Sequence, residues 1–169
     1  MANKCLEYLL QAVPQTSQRK TPLHPPWSAT GESFHSLCDG CGACVRACAS
    51  GIISMDESGF PVVDFSSGSC TFCGDCAQSC PTGALRFEAE SKPWHLQACI
   101  AESCLLAQRV LCRSCGDRCE HGAIRFSLTE GQLPQIQVDQ CTGCGGCVSV
   151  CPVGAVSLND AQKQERGKQ

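Results

Sequence analysis

Large side chains are scarce in this chain. Among 169 residues there are six phenylalanines, two tryptophans, one tyrosine and two methionines. The hydrophobic fraction of 43% overstates the apolar bulk, because cysteine supplies about a quarter of it. A fold held by packing alone would therefore be marginal. Charge is thin as well: 13 Lys and Arg against 16 Asp and Glu give a formal net of −3. No basic stripe is present, so nucleic acid is not expected as a partner. No apolar run approaches the roughly 18 residues of a spanning helix, so no membrane insertion is expected. Residues 1–13 hold one short apolar stretch with no cleavage pattern behind it, and no twin arginine occurs. The expectation is a protein without an export signal, hence cytoplasmic. A Walker phosphate loop, a dinucleotide glycine motif outside the cysteine-rich segments and a Ser-His-Asp candidate are all missing. An independent enzyme is not expected.

Cysteine is what the chain has in excess. Eighteen occur, and sixteen fall into four runs: Cys38, Cys41, Cys44, Cys48; Cys70, Cys73, Cys76, Cys80; Cys104, Cys112, Cys115, Cys119; and Cys141, Cys144, Cys147, Cys151. Three runs read C-x2-C-x2-C-x3-C, and the third reads C-x7-C-x2-C-x3-C. A shift of 71 residues carries Cys41 onto Cys112, Cys44 onto Cys115, Cys48 onto Cys119, Cys70 onto Cys141 and Cys80 onto Cys151, with Gly51 onto Gly122. So many coincidences define an internal repeat. Cys38 misses its counterpart, Cys104, by five residues. The organisation expected is an N-terminal arm (1–33), a first module (34–92), a linker (93–103), a second module (104–160) and a polar tail (161–169).

This spacing is the ligand pattern of cubane iron–sulfur clusters. Three cysteines two residues apart turn their thiolates toward one centre from a single tight loop. Zinc is the rival metal, but four-cysteine zinc sites draw paired C-x2-C knuckles from separate places. A disulfide framework requires a secretory context, and cysteines this close in a row rarely bond one another. Pro81 and Pro152 follow the fourth cysteine of the second and fourth runs, where Ala49 and Glu120 stand in the first and third. Gly40, Gly42, Gly74, Gly116, Gly143, Gly145 and Gly146 lie among the cysteines. Each alone is ordinary turn chemistry, but their repetition points to close backbone approach to a cluster. Cys5 and Cys99 stay unassigned, with Cys99 an alternative to Cys104. Four clusters would add about −8 to the formal charge and make the loaded protein distinctly acidic. Arg109, Arg113, Arg118 and Arg125 gather around the third run, either as a solvated face offsetting that charge or as a dock for an acidic partner.

Each run is followed by a glycine and an apolar alternation, as in Gly83, Ala84, Leu85, Arg86, Phe87 and in Gly154, Ala155, Val156, Ser157, Leu158. Glycine stops a short helix and the alternation starts a strand. After the first and third runs a turn and a second strand follow, over 60–65 and 133–138, each with a proline suited to an edge. Each module therefore reads as loop, helix, hairpin, loop, helix, strand: an α+β unit stabilised by its metal. Leu6, Leu9, Leu10 and Val13 recur at helical spacing, and Trp27 is expected to pack on the first module.

Paired C-x2-C-x2-C-x3-C-P runs resemble two-cluster bacterial ferredoxins, so the fold expected is two tandem ferredoxin-like modules. The resemblance implies crossed ligation, in which the fourth thiolate of each run serves the other cluster. The sets are then Cys38, Cys41, Cys44 with Cys80; Cys70, Cys73, Cys76 with Cys48; Cys104, Cys112, Cys115 with Cys151; and Cys141, Cys144, Cys147 with Cys119. Four runs, the widened third run and a leading Pro25, Pro26, Trp27 segment are similar to the ferredoxin-type accessory proteins of the periplasmic nitrate reductase system. So are Arg113, Arg125 and Phe126, and Lys92, Pro93 and Trp94 between the modules. That resemblance implies a cytoplasmic protein binding up to four 4Fe–4S clusters. Its partner would be the precursor of the reductase's molybdenum-containing catalytic subunit, matured before export by electron or cluster transfer. The alternatives are an electron carrier or wiring subunit of a larger redox complex, and a zinc-stabilised scaffold.

Overall fold

The computed structural model describes residues 22–29, 32–88, 90–127 and 131–160. The helix expected within residues 1–13 and the polar tail lie outside them. The described elements run α1 (Glu32–Leu37), α2 (Ala43–Ala47), β1 (Ile53–Met55), β2 (Pro61–Val63), α3 (Asp75–Gln78), β3 (Leu96–Ile100), α4 (Ser114–Asp117), β4 (Ile124–Arg125), β5 (Gln135–Ile136), α5 (Gly146–Ser149) and β6 (Val156–Asp160). The sheets are three antiparallel pairs, β1–β2, β3–β6 and β4–β5. This is the small mixed α/β arrangement expected of each module.

Helices α2 to α5 each hold the third cysteine of a run. Four or five residues are too few for a helix to persist alone. Glycines frame them instead. Gly42, Gly74 and Gly145 sit left-handed at the start of α2, α3 and α5. Gly51, Gly83, Gly122 and Gly154 sit left-handed beyond the ends, and the N–H groups of Gly51, Gly122 and Gly154 donate to the fourth cysteine's carbonyl at 3.0, 3.0 and 3.3 Å. The Asp56–Gly59 turn between β1 and β2 is tied by Asp56 Oδ1, which accepts the N–H groups of Ser58 and Phe60, both at 2.9 Å.

Two stretches expected outside the modules supply strands to them. β3 lies in residues 93–103 and pairs along its whole length with β6, from Leu96 opposite Asp160 to Ile100 opposite Val156. In the first module residues 27–29 do the same more briefly. Ser28 bridges Leu85, Ala29 N–H donates to Ala84 O at 2.9 Å and Arg86 N–H to Trp27 O at 3.0 Å. Without these returns each module's last strand would leave buried backbone groups unpaired. α1 had no sequence signal; it buries Phe34 completely. Trp27 packs on the first module's core, its ring edge-on to Phe87 at 4.9 Å.

The core is as small as composition implied. One cluster gathers Phe34, Ile52, Ile53, Phe65, Leu85 and Leu96 with Cys44 and Cys76. A second gathers Ala98, Ile100, Ile124 and Val156 with Cys115. Val148 and Leu158 pack against both, so the modules share apolar contact.

Candidate metal centres

The first run opens on Asp39, whose Oδ1 accepts the Cys41 N–H at 3.1 Å. The Cys41 side chain and backbone together hold the Asp39 carboxyl below its usual value. Gly40, with φ of +70°, lies so close to the hairpin turn that a Cβ there would come within 2.9 Å of Gly59 O. The loop is thus clamped against β1–β2. Cys38, Cys41 and Cys44 line one hollow together with Cys80 of the second run, walled by Phe34, Pro61 and Leu85. Its empty space, mouth included, is about 310 Å³.

A second hollow of about 320 Å³ repeats the arrangement with Cys104, Cys112 and Cys115 joined by Cys151. The widened gap of the third run is accommodated by a turn outside the hollow. Ala107, Gln108 and Arg109 donate their N–H groups back to Cys104, Leu105 and Leu106, each at 3.0 Å. Cys104 therefore reaches the hollow in spite of the insert. Cys99 stays on β3 opposite Ser157 and is disulfide-bonded, which removes it as a substitute for Cys104.

The second-run set shows in its electrostatics. Burial pushes Cys70 up to about 11, and the neighbouring Cys48 and Cys73 add to it. Burial pushes Cys76 up to about 12, with Cys70, Cys73 and Cys48 adding. Cys48 of the first run is thus among the thiols of the second. Burial pushes Cys147 up to about 12, with Cys141 and Cys144 next in effect, and Cys115 up to about 11, with Cys104 next. Cys119 packs on the same core cluster as Cys141 and Cys147.

Cys80 goes the other way. Burial raises it, but the Leu85 N–H, the Thr82 hydroxyl and the N–H groups of Thr82 and Ala84 outweigh that, leaving the thiol below its ordinary value. Thr82 Oγ1 lies 3.7 Å from Cys80 Sγ. Backbone donors reach other sulfurs too: Phe72 N–H to Cys70 at 3.4 Å, Ala123 N–H to Cys119 at 3.3 Å and Ala155 N–H to Cys151 at 3.2 Å. These are donors placed for thiolate, the charged form that accepts strongly.

The glycines have a reason the sequence did not reveal. A Cβ on Gly74 would stand 2.7 Å from the Phe87 ring. One on Gly116 would overlap Phe126, and one on Gly145 would overlap Phe65. Three of the four runs are thus capped by a phenylalanine seated where only hydrogen fits.

Thiols crowded together, with Cys44, Cys76 and Cys115 among them buried, need positive charge to ionise. Two of the sets stand around the walls of a hollow; among the described residues no three His, Cys, Asp or Glu side chains converge as the ligands of one ion would. Thr142 Oγ1, between Cys141 and Cys144, is buried with no protein partner. The donor set, the size of the hollows and this orphaned hydroxyl all fit an iron–sulfur cube.

Comparison with known proteins agrees. The model of the 4Fe-4S dicluster domain matches residues 37–84 and again 108–165. The chain is 41% identical over 145 residues to ferredoxin-type protein NapF of Haemophilus influenzae, covering 85% of this chain and 82% of that protein. It is 39% identical over 137 residues to ferredoxin-type protein NapF of Escherichia coli, covering 80% and 83%. It is also 42% identical over 127 residues to a component of the ion-translocating oxidoreductase complex of Methanosarcina acetivorans, covering 72% of this chain but 46% of that component.

Proposed function

The chain belongs to the 4Fe-4S dicluster family as a NapF-like ferredoxin-type iron–sulfur protein, and from that premise we propose that it loads four 4Fe–4S clusters and serves the maturation of a periplasmic nitrate reductase. The ligands are the sixteen cysteines of the four runs in their crossed sets. The catalytic subunit's precursor is met in the cytoplasm, before export. The observation that carries the ligand reading is the hollow in which Cys80 completes the trio Cys38, Cys41 and Cys44, because crossed ligation requires that pairing. When bound, each cluster supplies one-electron transfer or a source of iron and sulfide. The protein's part is to hold thiolates in a partly dry setting and to aim N–H and hydroxyl donors at their sulfurs.

The maturation role draws on the NapF relatives and on the third-run insert. Leu111, the last residue of that insert, is 91% exposed between Arg109 and Arg113, and suits contact with an acidic, partly apolar partner. Among the described residues no helix is long and apolar enough to cross a membrane. The test has two parts. Anaerobic purification should return about sixteen irons and sixteen sulfides per chain, four per cluster, with no zinc. Loaded protein should then capture the precursor of the catalytic subunit. Zinc without labile sulfide would refute the ligand reading, and absence of capture by both loaded and metal-free protein would refute the role.

A second reading, an electron-wiring component of a larger complex, is favoured by the identity to the ion-translocating complex. Stoichiometric copurification with a flavin or quinone enzyme, and fast reduction by it, would select it.

A further inference from the structure

We infer that the two modules meet through the loops of the second and fourth runs, so that an electron crosses between modules from the Cys70, Cys73, Cys76 and Cys48 set to the Cys141, Cys144, Cys147 and Cys119 set. The first-run and third-run sets are then the two outer ends. The order along the path is first, second, fourth, third, not the order of the chain. This rests on the reading that all four sets hold clusters.

Three contacts place the junction. The Cys70 N–H donates to Cys144 O at 2.8 Å, so two candidate ligands from different modules are joined backbone to backbone. Phe65, just before the second run, covers Gly145 of the fourth so closely that no Cβ fits there. Trp94 completes the seam. Its indole N–H donates to Thr142 O at 3.2 Å, and its ring stands edge-on to Phe65 and Phe72, both at 5.7 Å.

The outer sets show the opposite. The hollow of the first set is lined by residues between Phe34 and Leu85, all of the first module. That of the third is lined by residues between Cys104 and Val156, all of the second. Electron tunnelling falls steeply with separation, so the crossing takes the pair of sets whose ligands touch. The step is balanced: one electron leaves one set and arrives at the other, with no bond made or broken and no proton required. A low-potential one-electron donor and an acceptor act at the ends.

The experiment is pulsed EPR on dithionite-reduced, anaerobically loaded full-length protein. The double variant Cys41→Ser with Cys112→Ser leaves the second and fourth sets intact. The double variant Cys73→Ser with Cys144→Ser leaves the first and third. Magnetic coupling between modules is expected in the former and its loss in the latter. Coupling confined to the latter overturns the inference, as does its absence from the former at half the wild-type iron. If a dismantled chain fails to fold, Phe65→Ala with Trp94→Ala in the fully loaded chain decides. Coupling between modules should fall at unchanged iron content, and unchanged coupling overturns the inference. Iron and sulfide analysis of the same samples tells a misplaced junction from failure of the four-cluster reading, which would show as missing iron in the wild type.

Discussion

The seat of Phe65 on Gly145 can be measured by comparing two Gly→Ala substitutions that differ in one respect. Gly51 and Gly145 both hold left-handed backbone, at φ of +64° and +82°. A methyl on Gly51 meets nothing within 4 Å, whereas one on Gly145 overlaps the Phe65 ring. Gly51→Ala therefore bears only the left-handed penalty of about 1–2 kcal/mol. For a chain this size that lowers the melting temperature by about 2–8 °C. Gly145→Ala bears the same penalty and must also expel a phenylalanine only 6% exposed. Loss of such a ring costs about 3–5 kcal/mol. The total of about 4–7 kcal/mol corresponds to about 8–28 °C. The assay is anaerobic melting of the loaded protein at one scan rate, followed by circular dichroism and by the clusters' visible absorbance, because cluster loss makes the transition irreversible. Phe65→Ala closes the cycle. Once the ring is gone the methyl has room, so the double variant should lose only the backbone share beyond Phe65→Ala. Equal melting of the two glycine variants, or strict additivity in the cycle, would refute the close approach at the junction.

Three further outcomes are expected. Burial holds Cys70, Cys76, Cys115 and Cys147 at about 11, 12, 11 and 12, so these thiols stay protonated near neutrality and each must release a proton to become a ligand. Cluster uptake should therefore strengthen as pH rises from about 6.5 to 8.5 and should release protons in weak buffer, and a flat profile would contradict it. Thr82→Val removes the hydroxyl beside Cys80; a hydrogen bond worth about 0.5–1.5 kcal/mol to the more negative state would move one titrating component down by roughly 20–60 mV. A redox titration in which no component shifts would show that the hydroxyl does not tune the site. Leu111→Asp should leave melting within about 0.5 kcal/mol of wild type, as expected of an exposed site, while weakening capture of the reductase precursor; a destabilised variant would contradict the 91% exposure.

The modules were legible because cysteine spacing acts at short range. A run of C-x2-C-x2-C-x3-C confines its own loop and helix whatever surrounds it, so the helices at Cys44, Cys76, Cys115 and Cys147 followed directly. The hairpin after the first run could be read from Asp56, Gly59 and Pro61, which are local turn chemistry. What escaped was long-range. β3 reads as a linker because Leu96, Ala98 and Ile100 alternate over only five residues with no turn signal tying them to β6 sixty residues on. The three phenylalanine caps escaped for the same reason. Phe87 and Phe126 lie just beyond their runs, while Phe65 serves a glycine of the other module, and no spacing rule announces the pairing. The resemblance of Lys92, Pro93 and Trp94 to a family pattern marked the segment without its mechanism, which is the Trp94 indole held at Thr142.

Crossed ligation, as proposed, would explain how so small a core suffices. Cys44, Cys76 and Cys115 are buried among the few apolar side chains, so the thiols are part of the core as well as a lining for the sites. Each hollow takes walls from two runs, and helices of four or five residues cannot hold those walls in place alone. Filling one set fixes both runs of its module and thereby arranges three thiols and one for the other set. Within a module the first filling makes the second easier, because the ordering cost is met once. Between modules the Cys70–Cys144 hydrogen bond and the Phe65–Gly145 seat join the two ordered pairs. On the proposed path, the contact that joins the two metal-dependent units is therefore also the one an electron crosses.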